Sequence, residues 1–176
     1  MKRNNFDMDA QKVIKKELMA LLKEHNAHLS VEQAMADFPM EHINTRIPHV
    51  DYTPWQLLEH MRIAQWDIIE FIKNPDHVSP KWPEGYWPSK EIEASKENWE
   101  KAVNSFFTDL RSAEEMVKNP DTDLYSPLPH APKYTIFREI LLIADHNAYH
   151  LGQLVLLKKY CIEKYKFLKG ETPASH

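Results

Sequence analysis

At 176 residues the chain can bury one apolar core unaided, and 43% apolar with 27% charged residues is a globular balance, neither disordered nor fibrous. The formal net charge of −4 is spread in alternating signs, so no field is available for a polyanion and nucleic-acid binding is not expected. Cys161 is the single cysteine, which excludes an internal disulfide and a thiolate zinc site and makes the cytoplasm the expected compartment.

No run is apolar enough to span a bilayer, and MKRNNFDMDAQK has no apolar stretch behind its charges, so neither membrane insertion nor export is expected. With three glycines and no β-branched run of alternating polarity, helices are expected to carry the fold, in a single domain over residues 1–176.

The first helix is predicted over residues 9–28, with Ile14, Leu18, Leu21 and Leu22 at helical spacing. Ser30 with Gln33 forms a capping-box pattern that opens a short helix over 31–38, ended by Pro39. Thr53 followed by Pro54 starts the second long helix, whose inward stripe is Leu57, Met61, Ala64, Ile68 and Ile72 and whose end is Asn74 with Pro75. PDHVSPKWPEGYWP, residues 75–88, reads as a long loop packed by its own Trp82, Tyr86 and Trp87, either a strap over the core or a substrate lid.

Ser89 is the expected cap of the third long helix, with Ile92, Ser95, Trp99, Val103, Phe106, Leu110, Ala113 and Val117 as its apolar face and Asn119 with Pro120 as its stop. The fourth is predicted over residues 135–160, with Ile136, Ile140, Ile143, Leu151, Leu154 and Leu157 inward. Lys158, Lys159, Lys164, Lys166 and Lys169 after it read as a solvated helix end in preference to an anion site. The predicted fold class is all-α, an up-down four-helix bundle with long crossover connections.

Ten histidines are many for this length. His25, His28, His42, His49, His77, His130 and His176 fall at helix ends, in connections or at the terminus and are expected at the surface. His146 and His150 are four residues apart, so both rings lie on one helical face that runs through Ile143, Gln153 and Leu157 and borders the inward stripe. His60 falls between Leu57 and Ala64 on the inner side of the second helix. Each ring alone can be a core histidine with one hydrogen bond; if the second and fourth helices are neighbours, the three converge as a divalent-metal site. Neutral nitrogen donors suit zinc, nickel or iron, and three of them leave one position open to water or a substrate atom.

TPWQLLEH at the start of the second helix and DHNAYHLGQL in the fourth resemble the DinB and YfiT-like metal-binding four-helix bundles, and HLSVEQAMADFP is similar to the family as well. The resemblance covers nearly the whole chain. It implies the DinB-like fold and the ligands His60, His146 and His150, with Gly152 and Gln153 closing the second motif. Many relatives carry a further, non-ligating histidine where this chain has Tyr149. The resemblance further implies a homodimer and metal-dependent transfer or cleavage reactions using a low-molecular-weight thiol such as bacillithiol or mycothiol.

Two classes of function follow. One is a metal-dependent thiol transferase or hydrolase acting on a small-molecule substrate, with Gln153 either orienting a ligand or substrate or standing as a plain polar helix residue. Asp145 and Glu59, each next to a ligand, are either acceptors for a histidine or solvated carboxylates. The other class is a non-catalytic metal-binding or stress-related interaction protein, in which the ion tightens the bundle or reports metal supply. No general base is identified, and Cys161 reads as an apolar filler.

Overall fold

The computed structural model describes residues 5–23 and 28–168 of the chain. The helices are α1 (Asn5–Lys23), α2 (Val31–Met35), α3 (Pro54–Lys73), α4 (Lys96–Lys118) and α5 (Ile136–Leu168). Both α1 and α3 pack against α4 and α5, so the four long helices form a bundle in which α3 and α5 are neighbours. Helix formation is set locally by caps and globally by packing. Thr53 Oγ1 accepts from the Gln56 amide at 3.2 Å while Gln56 Oε1 accepts from the Thr53 amide at 2.9 Å, and Ser30 with Gln33 repeats this at the start of α2. A cap contributes about 1 kcal/mol, whereas burying one Leu or Phe contributes roughly 1.5–3 kcal/mol, so packing dominates. The core is built on Leu57, Leu58 and Met61 of α3, Phe106 and Val117 of α4, and Ile140 and Leu154 of α5.

One polar bridge runs through this apolar interior. Asn147 Nδ2 donates to Gln65 Oε1 at 2.8 Å, and Gln65 Nε2 donates to the Phe106 carbonyl at 2.7 Å. Gln65 is 1% exposed, so these bonds are costly to break and tie α5, α3 and α4 in one register. Asn147 is the residue after His146, so the same bridge fixes the height of α5 beside α3.

Several elements differ from the sequence prediction. The third long helix starts at Lys96 and is capped by Ser95, not Ser89. Asn98 Oδ1 at the third helical position accepts from the Ser95 amide at 2.9 Å, which Ile92, at the same offset from Ser89, has no group to do. Ser89 caps only a turn, accepting from the Glu91 amide at 3.4 Å, and Ile92 is 52% exposed. The connection before α5 contains a small antiparallel hairpin, β1 (Pro127–Leu128) with β2 (Ala131–Thr135), too short and proline-rich for an alternation signal. Thr135 then caps α5 through the Arg138 amide at 3.1 Å, and the helix runs on to Leu168 because CIEKYKFL has no breaker. α2 stops at Met35, with Asp37 in the left-handed region at φ 50°, so Phe38 enters the core from a turn. Leu21 faces outward at 52% exposure. Lys158 is not merely solvated: its ammonium donates to the Ala34 and Ala36 carbonyls at the end of α2. Lys166, Lys169, His25 and His176 lie outside the residues whose side chains are described.

Candidate metal centre

The capped start of α3 sets the phase of that helix, turning His60 inward with Leu57 and Met61 to 2% exposure. From α5, His150 is 8% exposed and His146 is half-buried, one turn apart on the side facing α3. The three rings meet. His60 Nε2 lies 3.2 Å from His150 Nε2 and 3.2 Å from His146 Nε2. Three nitrogens each about 2.0–2.1 Å from a tetrahedral ion would be about 3.3 Å apart; both spacings from His60 match that, and the three ligand atoms all lie within 4.8 Å of one another.

His60 Nδ1 donates to the Tyr86 carbonyl at 2.9 Å, and His150 Nδ1 donates to Gln153 Oε1 at 2.8 Å. A neutral ring has one N–H, so both Nε2 atoms present lone pairs to each other with no proton between them. Two buried lone pairs in contact repel, and a cation between them removes the conflict. An acceptor bonded to the far ring nitrogen is the usual way a metal-binding histidine is oriented.

All three rings are neutral at neutral pH. Burial, then the neighbouring His150 and His60, push His146 down to about 3. His60 is lowered by burial, with the Tyr86 bond opposing, and His150 by burial, with the Gln153 bond opposing. Neutral imidazole is the form that ligates, so no proton has to be displaced before a cation enters.

The supports around these ligands extend well beyond the two helices. Gln153 Oε1 also accepts from the Tyr52 hydroxyl at 3.1 Å, so Gln153 is held from two sides. Trp87 lies flat on the His60 ring, 4.0 Å between centroids and 1° between planes, and Tyr52 stacks on Trp87 at 5.2 Å. The 75–88 segment is therefore a strap whose final aromatic covers a ligand. Trp82, expected inside that loop, is 69% exposed. Tyr86 and Trp87 were not distinguishable as supports in the sequence beyond the aromatic content of their loop, and nothing there pointed to Tyr52.

Neither carboxylate flanking the ligands reaches a histidine. Glu59 forms a two-pronged pair with Arg62 at 2.7 and 2.8 Å, and Asp145 is exposed. Three histidines expected at the surface are half-buried instead: His42 bonds Thr45 at 3.3 Å, His130 donates to the Phe71 carbonyl at 2.7 Å, and His77 bonds Asp67 at 2.7 Å. His28 and His49 are exposed as expected. Cys161 is 1% exposed and burial pushes its thiol up, as suits a filler. Tyr149 is 66% exposed and its ring stands nearly perpendicular to that of His150, and the space beside Gly152 is open.

No curated protein and no solved structure matches the chain. The DinB superfamily matches residues 25–154, a stretch that contains α3, His60, His146, His150 and Gln153. With that match over most of its length, and with a helical bundle that brings three histidines together, the chain belongs to the DinB superfamily.

Proposed function

We propose that the protein is a metal-dependent enzyme, a thiol-dependent S-transferase or hydrolase, in which His60, His146 and His150 hold one divalent ion, zinc or nickel in preference to iron. The observation that carries this reading is the convergence of three Nε2 atoms, two of them locked as bare lone pairs by the Tyr86 carbonyl and Gln153. Three neutral donors leave an ion's double charge intact, and such an ion lowers the pKa of a thiol or water beside it to near neutrality.

The cosubstrate is a low-molecular-weight thiol such as bacillithiol and the partner a small electrophile. In the transfer, the thiol gives its proton to solvent, a sulfur–carbon bond forms, and the leaving group departs with the electron pair of the bond that breaks. Gln153 acts on His150 and not on substrate. A largely apolar cleft of about 540 Å³ lined by Tyr52, Gln56, Pro83, Trp87 and Pro88 shares two walls with the supports of the centre and supports small-molecule binding.

Elemental analysis of tag-free protein, with thiol-dependent turnover of model electrophiles measured before and after chelation, tests the proposal. One ion per chain and chelator-sensitive turnover are expected. Turnover indifferent to the chelator overturns the mechanism, and a tightly held ion without turnover against any thiol assigns the site to a structural or sensing role.

A further inference from the structure

One buried carboxylate collects two side chains of the strap. Asp67, on α3, is 7% exposed; its Oδ1 accepts from His77 Nε2 at 2.7 Å and its Oδ2 from the Tyr86 hydroxyl at 2.6 Å. Both lengths are those of charge-assisted bonds. His77 enters the strap and Tyr86 ends its 3-10 turn, so a single side chain pins the segment at two points. The residue it grips by the hydroxyl is the one whose carbonyl accepts the hydrogen bond from His60 Nδ1–H, and the next residue, Trp87, lies flat on that ring. Asp67 follows His60 by roughly two helical turns, which puts it on the same face of α3 with the strap above both.

Fold stability alone does not require a carboxylate here. A buried charged network is often replaceable by apolar side chains at no loss of stability, and α3 has an apolar stripe available for that. The gain lies in direction.

We propose that Asp67 is a positioning residue for the histidine centre: through Tyr86 it holds the backbone carbonyl that fixes the Nδ1–H tautomer of His60 and leaves Nε2 bare toward His146 and His150. The consequence for an ion rests on the metal-binding reading; the consequence for the His60 tautomer does not.

Long-range proton–nitrogen NMR of the metal-free wild type, Asp67→Asn and Tyr86→Phe tests this, with zinc titration of the same samples. Wild-type His60 is expected as a single Nδ1–H tautomer. Both variants should show a mixture at His60 while His150, held separately by Gln153, keeps its tautomer, and zinc affinity should fall about tenfold or more. A merely structural role for Asp67 would lower thermal stability and disturb both histidines alike. An unchanged His60 tautomer in the variants, or an equal change at His150, overturns the proposal. Should Asp67→Asn fail to fold, Tyr86→Phe, which removes one oxygen and leaves the His77 bond, decides alone. A wild type that takes up no zinc while the His60 tautomer responds as described removes the metal reading and leaves the positioning role standing.

Discussion

His60 and His150 do the same thing by different means. His150 is oriented from within its own helix, by Gln153 three residues on, so the geometry of α5 delivers ligand and support together. His60 is oriented by a carbonyl 26 residues away, on a strap that must fold back over α3 before the ring has a preferred tautomer. The α5 half of the centre is therefore preformed once a helix exists, and the α3 half exists only in the complete fold. Backbone opening of the strap should disorder one ligand and spare the other two.

The largest effect expected is common to both halves. His60→Ala and His150→Ala each remove a donor, and metal affinity by equilibrium dialysis should fall by about 100-fold or more, since what remains is at most a two-nitrogen site. The stabilisation that bound metal gives the wild type, about 2.7 kcal/mol at a free concentration 100 times its Kd, should vanish from both variants and from chelated wild type. His60→Ala protein that keeps one ion per chain would mean that the α3 half is not part of the site. Next in size is Gln153→Ala, expected to cost about 10–100-fold in metal affinity with little change in the melting of the metal-free protein. Tyr52→Phe removes only one of the two donors to Gln153 and should cost about 1 kcal/mol, a few-fold in affinity. If Tyr52→Phe weakens binding as much as Gln153→Ala, the α5 half is not self-contained and the contrast between the two ligands fails.

The same contrast explains what could be read from the chain alone. His146, His150 and Gln153 share a face by helical periodicity, and Thr53 with Pro54 fixes the phase of α3, so the inward direction of His60 was legible. Their meeting was legible only through the family resemblance, because it needs α3 and α5 to be neighbours, a fact of packing that no local pattern encodes. The Tyr86 carbonyl was beyond reach for a different reason: every residue has a carbonyl, and only the path of the strap selects this one. Asp67 drew no reading from the sequence and His77 was expected at the surface, since the two partners lie ten residues apart across the end of α3. Ser89 and Ser95 show the limit of cap signals, because both precede helical spacing and only the residue three places on separates a turn from a helix start.

The smallest effect separates the strap from the helices by pH. Burial, then the bond and charge of Asp67, push the Tyr86 hydroxyl up to about 12 from its ordinary value of 10.0. The folded, strapped state thus holds a proton that the unfolded chain releases first. Its contribution to stability is complete below pH of about 10 and is lost as pH rises toward 12, since there the unfolded state gains by ionising. Tyr86→Phe has no such proton. Wild type should exceed Tyr86→Phe in denaturant stability by on the order of 1 kcal/mol at pH 8, because the donor meets a charged acceptor but is only half-buried. That difference should shrink steadily above pH 10. Val117→Ala, a substitution in the apolar core that carries no titrating group, should hold a constant offset from wild type across the same range, so a parallel decline in both comparisons would trace the loss to the bundle at large instead of to the Asp67–Tyr86 bond.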